Sequence, residues 1–172
     1  ETGIGDLLLN LHDNGMKPTE VRRALRRALA DYLAVESGVR LGPERIWAAN
    51  GSNEVMLHVL QAFGGPGRAC LSFTPTYSMY PEYARDTLTD YVTGPRREDF
   101  TLDTVAVADA VERLRPAVLV LASPNNPTGG PVEREEFEEF MAKVPRDVLV
   151  ALDQAYFEYM VEGGFDGMDA LP

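Results

Sequence analysis

Two stretches of this chain are apolar at every position: Ala117-Val118-Leu119-Val120-Leu121 and Val148-Leu149-Val150-Ala151-Leu152. A strand with one solvated face alternates apolar and polar residues. An unbroken apolar run of this length fits a strand covered on both faces, as in a parallel sheet with helices above and below. Helical patterns separate such runs. Residues 105–114 have helical spacing, and Phe137, Phe140, Met141 and Val144 mark another helix. The first half repeats the alternation. From Thr19, a candidate N-cap, Val21, Ala24, Leu25, Ala28, Leu29, Tyr32 and Leu33 follow helical spacing up to Gly38. A strand over 46–49 precedes a helix with the stripe Val55, Met56, Val59, Leu60 and Phe63, which Gly64-Gly65-Pro66-Gly67 ends. Strands over 69–73 and 87–92 flank a short helix around 79–84. The expectation is an α/β fold, a three-layer α/β/α sandwich with a mostly parallel sheet.

Composition narrows the function classes. The chain has 172 residues, 45% of them apolar and 25% charged, which excludes a mostly disordered chain. No apolar run is long enough to span a bilayer as a helix. The opening ETGIGDLLLN lacks the basic region of a secretory signal. Cys70 stands alone, so no internal disulfide is expected, and a cytoplasmic location follows as the default. The net charge of −11 argues against broad contact with nucleic acid or an anionic membrane. A local phosphate site is compatible with that charge, because free N–H groups at a helix start need no basic surface.

Three polar clusters follow predicted strands, where ligands of parallel sheets bind. In Gly51-Ser52-Asn53-Glu54, small residues at a strand-to-helix turn suit a phosphate, or Ser52 or Asn53 is simply an N-cap. In Ser123-Pro124-Asn125-Asn126-Pro127-Thr128-Gly129, the asparagines either aim amides into a cleft or brace a stiff turn. In Asp153-Gln154-Ala155-Tyr156, a carboxylate at the exit of an apolar strand needs a cationic partner, or it caps a helix beside a packing tyrosine.

In this order the clusters resemble the pyridoxal-phosphate-dependent aminotransferases of fold type I. Trp47-Ala48-Ala49-Asn50-Gly51-Ser52-Asn53-Glu54, Gln61-Ala62-Phe63-Gly64-Gly65-Pro66-Gly67-Arg68 and Phe73-Thr74-Pro75-Thr76-Tyr77-Ser78-Met79-Tyr80 resemble the histidinol-phosphate aminotransferase branch in particular. The likeness spans residues 18–156. It implies a cofactor, pyridoxal 5'-phosphate, whose phosphate meets backbone N–H groups of Ser52 and Asn53. It implies that Tyr77 stacks on the pyridine ring, and that Asn126 and Tyr156 hydrogen-bond its phenolic oxygen. It implies that Asp153 pairs with the ring nitrogen and keeps it protonated, which makes the ring an electron sink. The implied reaction moves an amino group between glutamate and a phosphorylated imidazole keto compound in histidine biosynthesis, in a homodimer.

The chain also departs from that pattern. The family's Schiff-base lysine lies downstream in a Ser-Lys context. The two lysines here, Lys17 and Lys143, sit in other contexts, the latter on a predicted helix. The expectation is therefore residues 1–17 unassigned and 18–172 as an incomplete cofactor-binding large domain. The small C-terminal domain would be absent, and the chain alone would be inactive or purely structural. Leu11-His12-Asp13-Asn14-Gly15 stands where the family has another N-terminal motif, and Gln154 stands where glutamate is commoner. Cys70 reads as core, His58 as structural, and His12 lacks metal-ligand spacing. Glu135, Glu136, Glu138 and Glu139, like Arg22, Arg23, Arg26 and Arg27, read as solvated helix faces.

Overall fold

The structure, a computed structural model, describes residues 15–160 and Gly167. His12 and most of the 11–15 motif lie outside the described residues. The chain divides into two compact units, residues 1–50 and 51–172.

In the first unit, helix α1 (Pro18–Glu36) begins one residue before the predicted cap. Pro18 takes the first helical position, where its missing N–H costs nothing. Lys17, not Thr19, is the cap residue, and its N–H donates to Glu20 Oε2 at 2.9 Å. The helix ends where Ser37 donates its hydroxyl to Leu33 O (2.7 Å) and Gly38 turns to φ +75°. One member of the arginine face has a partner: the Arg26 guanidinium lies 5.4 Å from the Trp47 ring centroid. Residues 46–49 do not form the expected strand. They run outside any ladder after a 3-10 turn at Pro43–Arg45. Among the described residues they pair in no ladder.

The second unit is a four-stranded parallel sheet. Its elements are α2 (Gly51–Phe63), β1 (Ala69–Thr74), α3 (Tyr80–Asp86), β2 (Asp90–Pro95), α4 (Thr104–Leu114), β3 (Val118–Ala122), α5 (Arg134–Met141) and β4 (Leu149–Asp153). A 3-10 turn at Phe157–Tyr159 follows. Strand order is β2-β1-β3-β4. β2 starts three residues later than predicted, because Thr87–Thr89 are spent ending α3. The Thr87 N–H and hydroxyl both bond to carbonyls of Tyr83 and Ala84, and Leu88 takes φ +56°. Lys143 falls just past α5 rather than on it.

The predicted three layers are present. Met56 and Leu60 of α2 and Tyr80, Tyr83 and Ala84 of α3 pack on one face of the sheet, against Cys70, Val118 and Val120. Val107 and Val111 of α4 and Phe137 and Phe140 of α5 cover the other face, against Leu71, Phe73, Leu119 and Leu121. Alternate residues of β3 feed each core, so the whole strand is buried, as its unbroken apolar run predicts. β4 is as apolar but only half-buried, having a neighbour on one side among the described residues. The chain steps outward from β1 to β2 and then returns past β1 to β3. The order therefore reverses between β1 and β3, and in sheets of this kind the carboxyl ends at that reversal form the binding crevice.

Candidate functional site

Parallel pairing delivers two of the three polar clusters, those after β3 and β4, to one edge; the Gly51–Glu54 cluster follows no strand among the described residues. Ala122 of β3 is in register with Asp153 of β4, and the Ser123 N–H donates to Asp153 O at 2.9 Å. The carboxylate thus leaves the sheet beside the Ser123–Gly129 loop. That loop is closed on itself: the Asn125 N–H donates to Gly130 O (2.9 Å) and the Gly129 N–H to Asn125 O (2.7 Å). Gly129 adopts φ +76°, a conformation that favours glycine. The Val132 N–H donates to Ser123 Oγ at 3.0 Å and anchors the loop's return.

The two asparagines have different roles. Asn125 is 2% exposed, and its amide is fully used. Nδ2 donates to Thr128 Oγ1 (2.7 Å) and to Pro75 O (3.0 Å), while Oδ1 accepts from Thr76 Oγ1 (3.2 Å). It therefore ties the loop after β3 to the loop after β1. Asn126 lines a cavity of about 530 Å³ together with Pro124, Pro127, Tyr156, Tyr159 and Met160, and Asn125 also reaches its wall. The bracing reading of the cluster describes Asn125.

Asp153 is half-buried and accepts two hydrogen bonds. Its Oδ1 accepts from the Ala155 N–H (3.1 Å) and its Oδ2 from the Tyr80 hydroxyl (2.8 Å). Tyr80 is 1% exposed, and burial together with the Asp153 charge pushes its ionisation far up, so it stays a neutral donor. The Tyr77 ring meets Tyr80 edge-on, with centroids 5.5 Å apart and planes at 81°. The Tyr77 hydroxyl donates to Asn53 Oδ1 at 3.3 Å, in the first turn of α2. A continuous series of contacts therefore joins Asn53, Tyr77, Tyr80 and Asp153. Ser52 is half-buried in that same first turn, which Gly51 opens at φ +78°.

Of the six candidate residues, Asn53, Tyr77 and Asp153 belong to this series, and Asn126 and Tyr156 share the cavity wall. Ser52 sits beside Asn53 at the helix start. Sequence reasoning missed Tyr80, Asn125 and Thr76. The signal for Tyr80 was its spacing, three residues after Tyr77. For Asn125 it was the Pro-Asn-Asn-Pro turn, where a short amide side chain can brace the loop. A cation also lies near this edge. After β2, Arg96 donates from Nε to Phe73 O (3.2 Å) and from Nη1 to Phe100 O (3.1 Å), and burial lowers its pKa.

The arrangement offers amides and a phenol around one cavity, and a carboxylate at the neighbouring strand end with aromatic rings and a helix N-terminus in series behind it. That set suits a flat, polar, phosphate-bearing ring. Comparison with known proteins agrees in fold and sequence. The histidinol-phosphate aminotransferase of Bifidobacterium longum is 47% identical over 149 residues, covering 81% of this chain and 39% of that protein. The Mycobacterium leprae protein of the same name is 46% identical over 136 residues, covering 79% of this chain and 36% of its own length. The chain thus spans about two fifths of the relatives it matches. Among solved structures, a probable N-succinyldiaminopimelate aminotransferase from Thermus thermophilus superposes with a TM-score of 0.79 at 29% identity, over 96% of this chain and 46% of that one. The histidinol-phosphate aminotransferase of Sinorhizobium meliloti, solved in complex with pyridoxal-5'-phosphate, shares the fold. Its TM-score is 0.70 at 24% identity, over 80% of this chain and 35% of that one. The aminotransferase class I and II pattern matches residues 8–170, nearly the whole sequence, and the chain belongs to that family.

Proposed function

We propose that this chain forms the pyridoxal-phosphate-binding part of an aminotransferase acting on histidinol phosphate. The observation that carries the reading is the placement of Asp153. It lies at the carboxyl end of β4, held by Tyr80 and bonded through its backbone to Ser123, where the loop begins whose Asn126 lines a cavity with Tyr156. The donor set fits the cofactor group by group. Asp153 is the acceptor that keeps a ring nitrogen protonated. The Asn126 amide and the Tyr156 hydroxyl donate to a phenolic oxygen. Tyr77 offers an aromatic face, and the N–H groups of Ser52 and Asn53 receive a phosphate. When bound, pyridoxal phosphate supplies an electron sink for the charge left on an amino acid's α-carbon.

The relatives' names favour transfer of an amino group to or from histidinol phosphate; glutamate as the other partner and a cytoplasmic homodimer are part of the same proposal. A second reading has a specific observation behind it. Lys143 follows α5 and precedes β4, so it lies toward the amino ends of the strands, at the edge opposite the candidate site. There its Nζ is 3.8 Å from Glu139 Oε1. The 172 residues by themselves would then bind the cofactor without turning it over. Residues 18–172 would be the cofactor-binding unit, completed by groups from elsewhere.

An absorbance titration of the chain with pyridoxal phosphate tests both readings, followed by borohydride reduction and peptide mapping. We expect saturable binding that Asp153→Ala weakens at least about tenfold, consistent with the loss of a charge-assisted hydrogen bond. We expect no label on Lys17 or Lys143. Absence of saturable binding would contradict the site. A label confined to Lys143 would overturn the non-catalytic reading.

A further inference from the structure

The hydrogen bond between Tyr80 and Asp153 joins residues 73 positions apart. It links the first residue of α3, which follows β1, to the last residue of β4, two strands away across the sheet. Asp153 therefore takes its orientation partly from outside its own strand. One carboxylate oxygen is fixed by the adjacent Ala155 N–H and the other by Tyr80. With both oxygens engaged, rotation of the carboxylate plane is arrested. Each oxygen still has a lone-pair direction free, since an ionised carboxylate accepts about four hydrogen bonds.

The chemical type of the donor matters as much as its geometry. A lysine or arginine at position 80 would neutralise Asp153 and leave little attraction for a further cation. A phenol holds the carboxylate in place and leaves its charge uncompensated. Among the described residues Asp153 has no cationic partner. Burial keeps the Tyr80 hydroxyl protonated, so the donor persists across the working pH range. Neighbouring Tyr83 provides the contrast. It lies on the same helix, is 5% exposed, and its hydroxyl has no hydrogen-bond partner among the described residues. A buried phenol on α3 is thus not bonded as a matter of course, and the bond of Tyr80 is particular to Asp153.

We propose that Tyr80 is a positioning residue that orients the Asp153 carboxylate, unneutralised, toward a protonated aromatic ring nitrogen, and so sets the site's preference for a basic ring. This rests on the reading of the cavity as a pyridoxal phosphate site. It adds that the preference for a ring nitrogen passes through Tyr80.

The test compares two probes on the 172-residue chain: pyridoxal 5'-phosphate and its 1-deaza analogue, in which carbon replaces the ring nitrogen. We expect the wild-type chain to bind the nitrogen-containing probe about tenfold or more tighter, and Tyr80→Phe to reduce that ratio to about threefold or less. Tyr83→Phe should leave the ratio unchanged. In an Asp153→Asn background, Tyr80→Phe should have no further effect. If Tyr80→Phe does not fold, 3-fluorotyrosine at position 80 keeps the shape and strengthens the donor, and the ratio must then move. An unaltered ratio in Tyr80→Phe or in the fluorotyrosine chain overturns the inference while leaving the cofactor site standing. So does an equal drop in Tyr83→Phe. Failure of the wild-type chain to bind either probe overturns the site itself and the inference with it.

Discussion

Asn125 and Asn126 are identical and adjacent and both line the cavity, yet Asn125 also braces the fold through its side-chain bonds. Asn125 is buried and bonded three times, so Asn125→Ala strands Thr76 Oγ1 and Pro75 O. We expect a loss of about 2 kcal/mol in denaturant unfolding, typical for buried polar groups left unpaired. Asn126→Ala should leave stability within about 0.5 kcal/mol and weaken pyridoxal phosphate binding instead. Cys70 behaves as its apolar surroundings in the sequence suggest. It is fully buried, and burial pushes its thiol from 9.0 up to about 12. The unfolded chain loses that proton near pH 9 while the folded chain keeps it. The thiol's contribution is therefore complete below pH 9 and disappears as pH rises toward 12. Cys70→Ala should flatten that alkaline decline in thermal melts across pH 8–11. An equally steep decline would show that other groups cause it.

At the level of elements, legibility follows burial. β3 and β4 were readable because a strand covered on both faces must be apolar throughout. The start of β2 is not legible because it is an exposed edge strand with mixed residues, and because Thr87 supports either a strand or a helix end. The 46–49 segment carried strand-like residues, but a strand exists only with a neighbour, which local pattern does not encode. The same limit applies to the site. Asp153, Asn126 and Tyr156 were legible as polar residues at strand exits. The Tyr80 bond was not, because it depends on which strands the topology places side by side. Helix α4 offers a test at this scale. Asp103 Oδ1 accepts from the N–H groups of Val105 (3.1 Å) and Ala106 (3.0 Å) and caps the helix. Those bonds hold its carboxyl below its usual 3.8. The cap therefore stabilises the fold above that pH and is lost as pH falls through the lowered value. Asp103→Ala should lower Tm at pH 7, and the gap from wild type should narrow on acidification below pH 3.8. A gap independent of pH would contradict the capping role.

At the level of the molecule, the sheet of the second unit has unpaired edges at β2 and β4 among the described residues, and β4 is apolar. Exposed strand edges of that kind associate. Sedimentation at micromolar concentration should show concentration-dependent association despite the charge of −11, rather than one 19.0 kDa species. A single monomer throughout would contradict it. The central claim, that the carboxyl edge of the sheet holds pyridoxal phosphate, has a direct competitor within the same unit. A second cavity of about 580 Å³ lies against β1, β2 and α4, lined by Phe73, Val92, Ala110 and Arg113 among others. Amide shift mapping of the ¹⁵N-labelled chain on addition of pyridoxal phosphate separates the two. Saturable shifts are expected at Gly51–Asn53, Asn126, Asp153 and Tyr156, with none at Val92 or Arg113. Shifts centred on Val92 and Arg113, or no saturable shifts, would contradict the central claim.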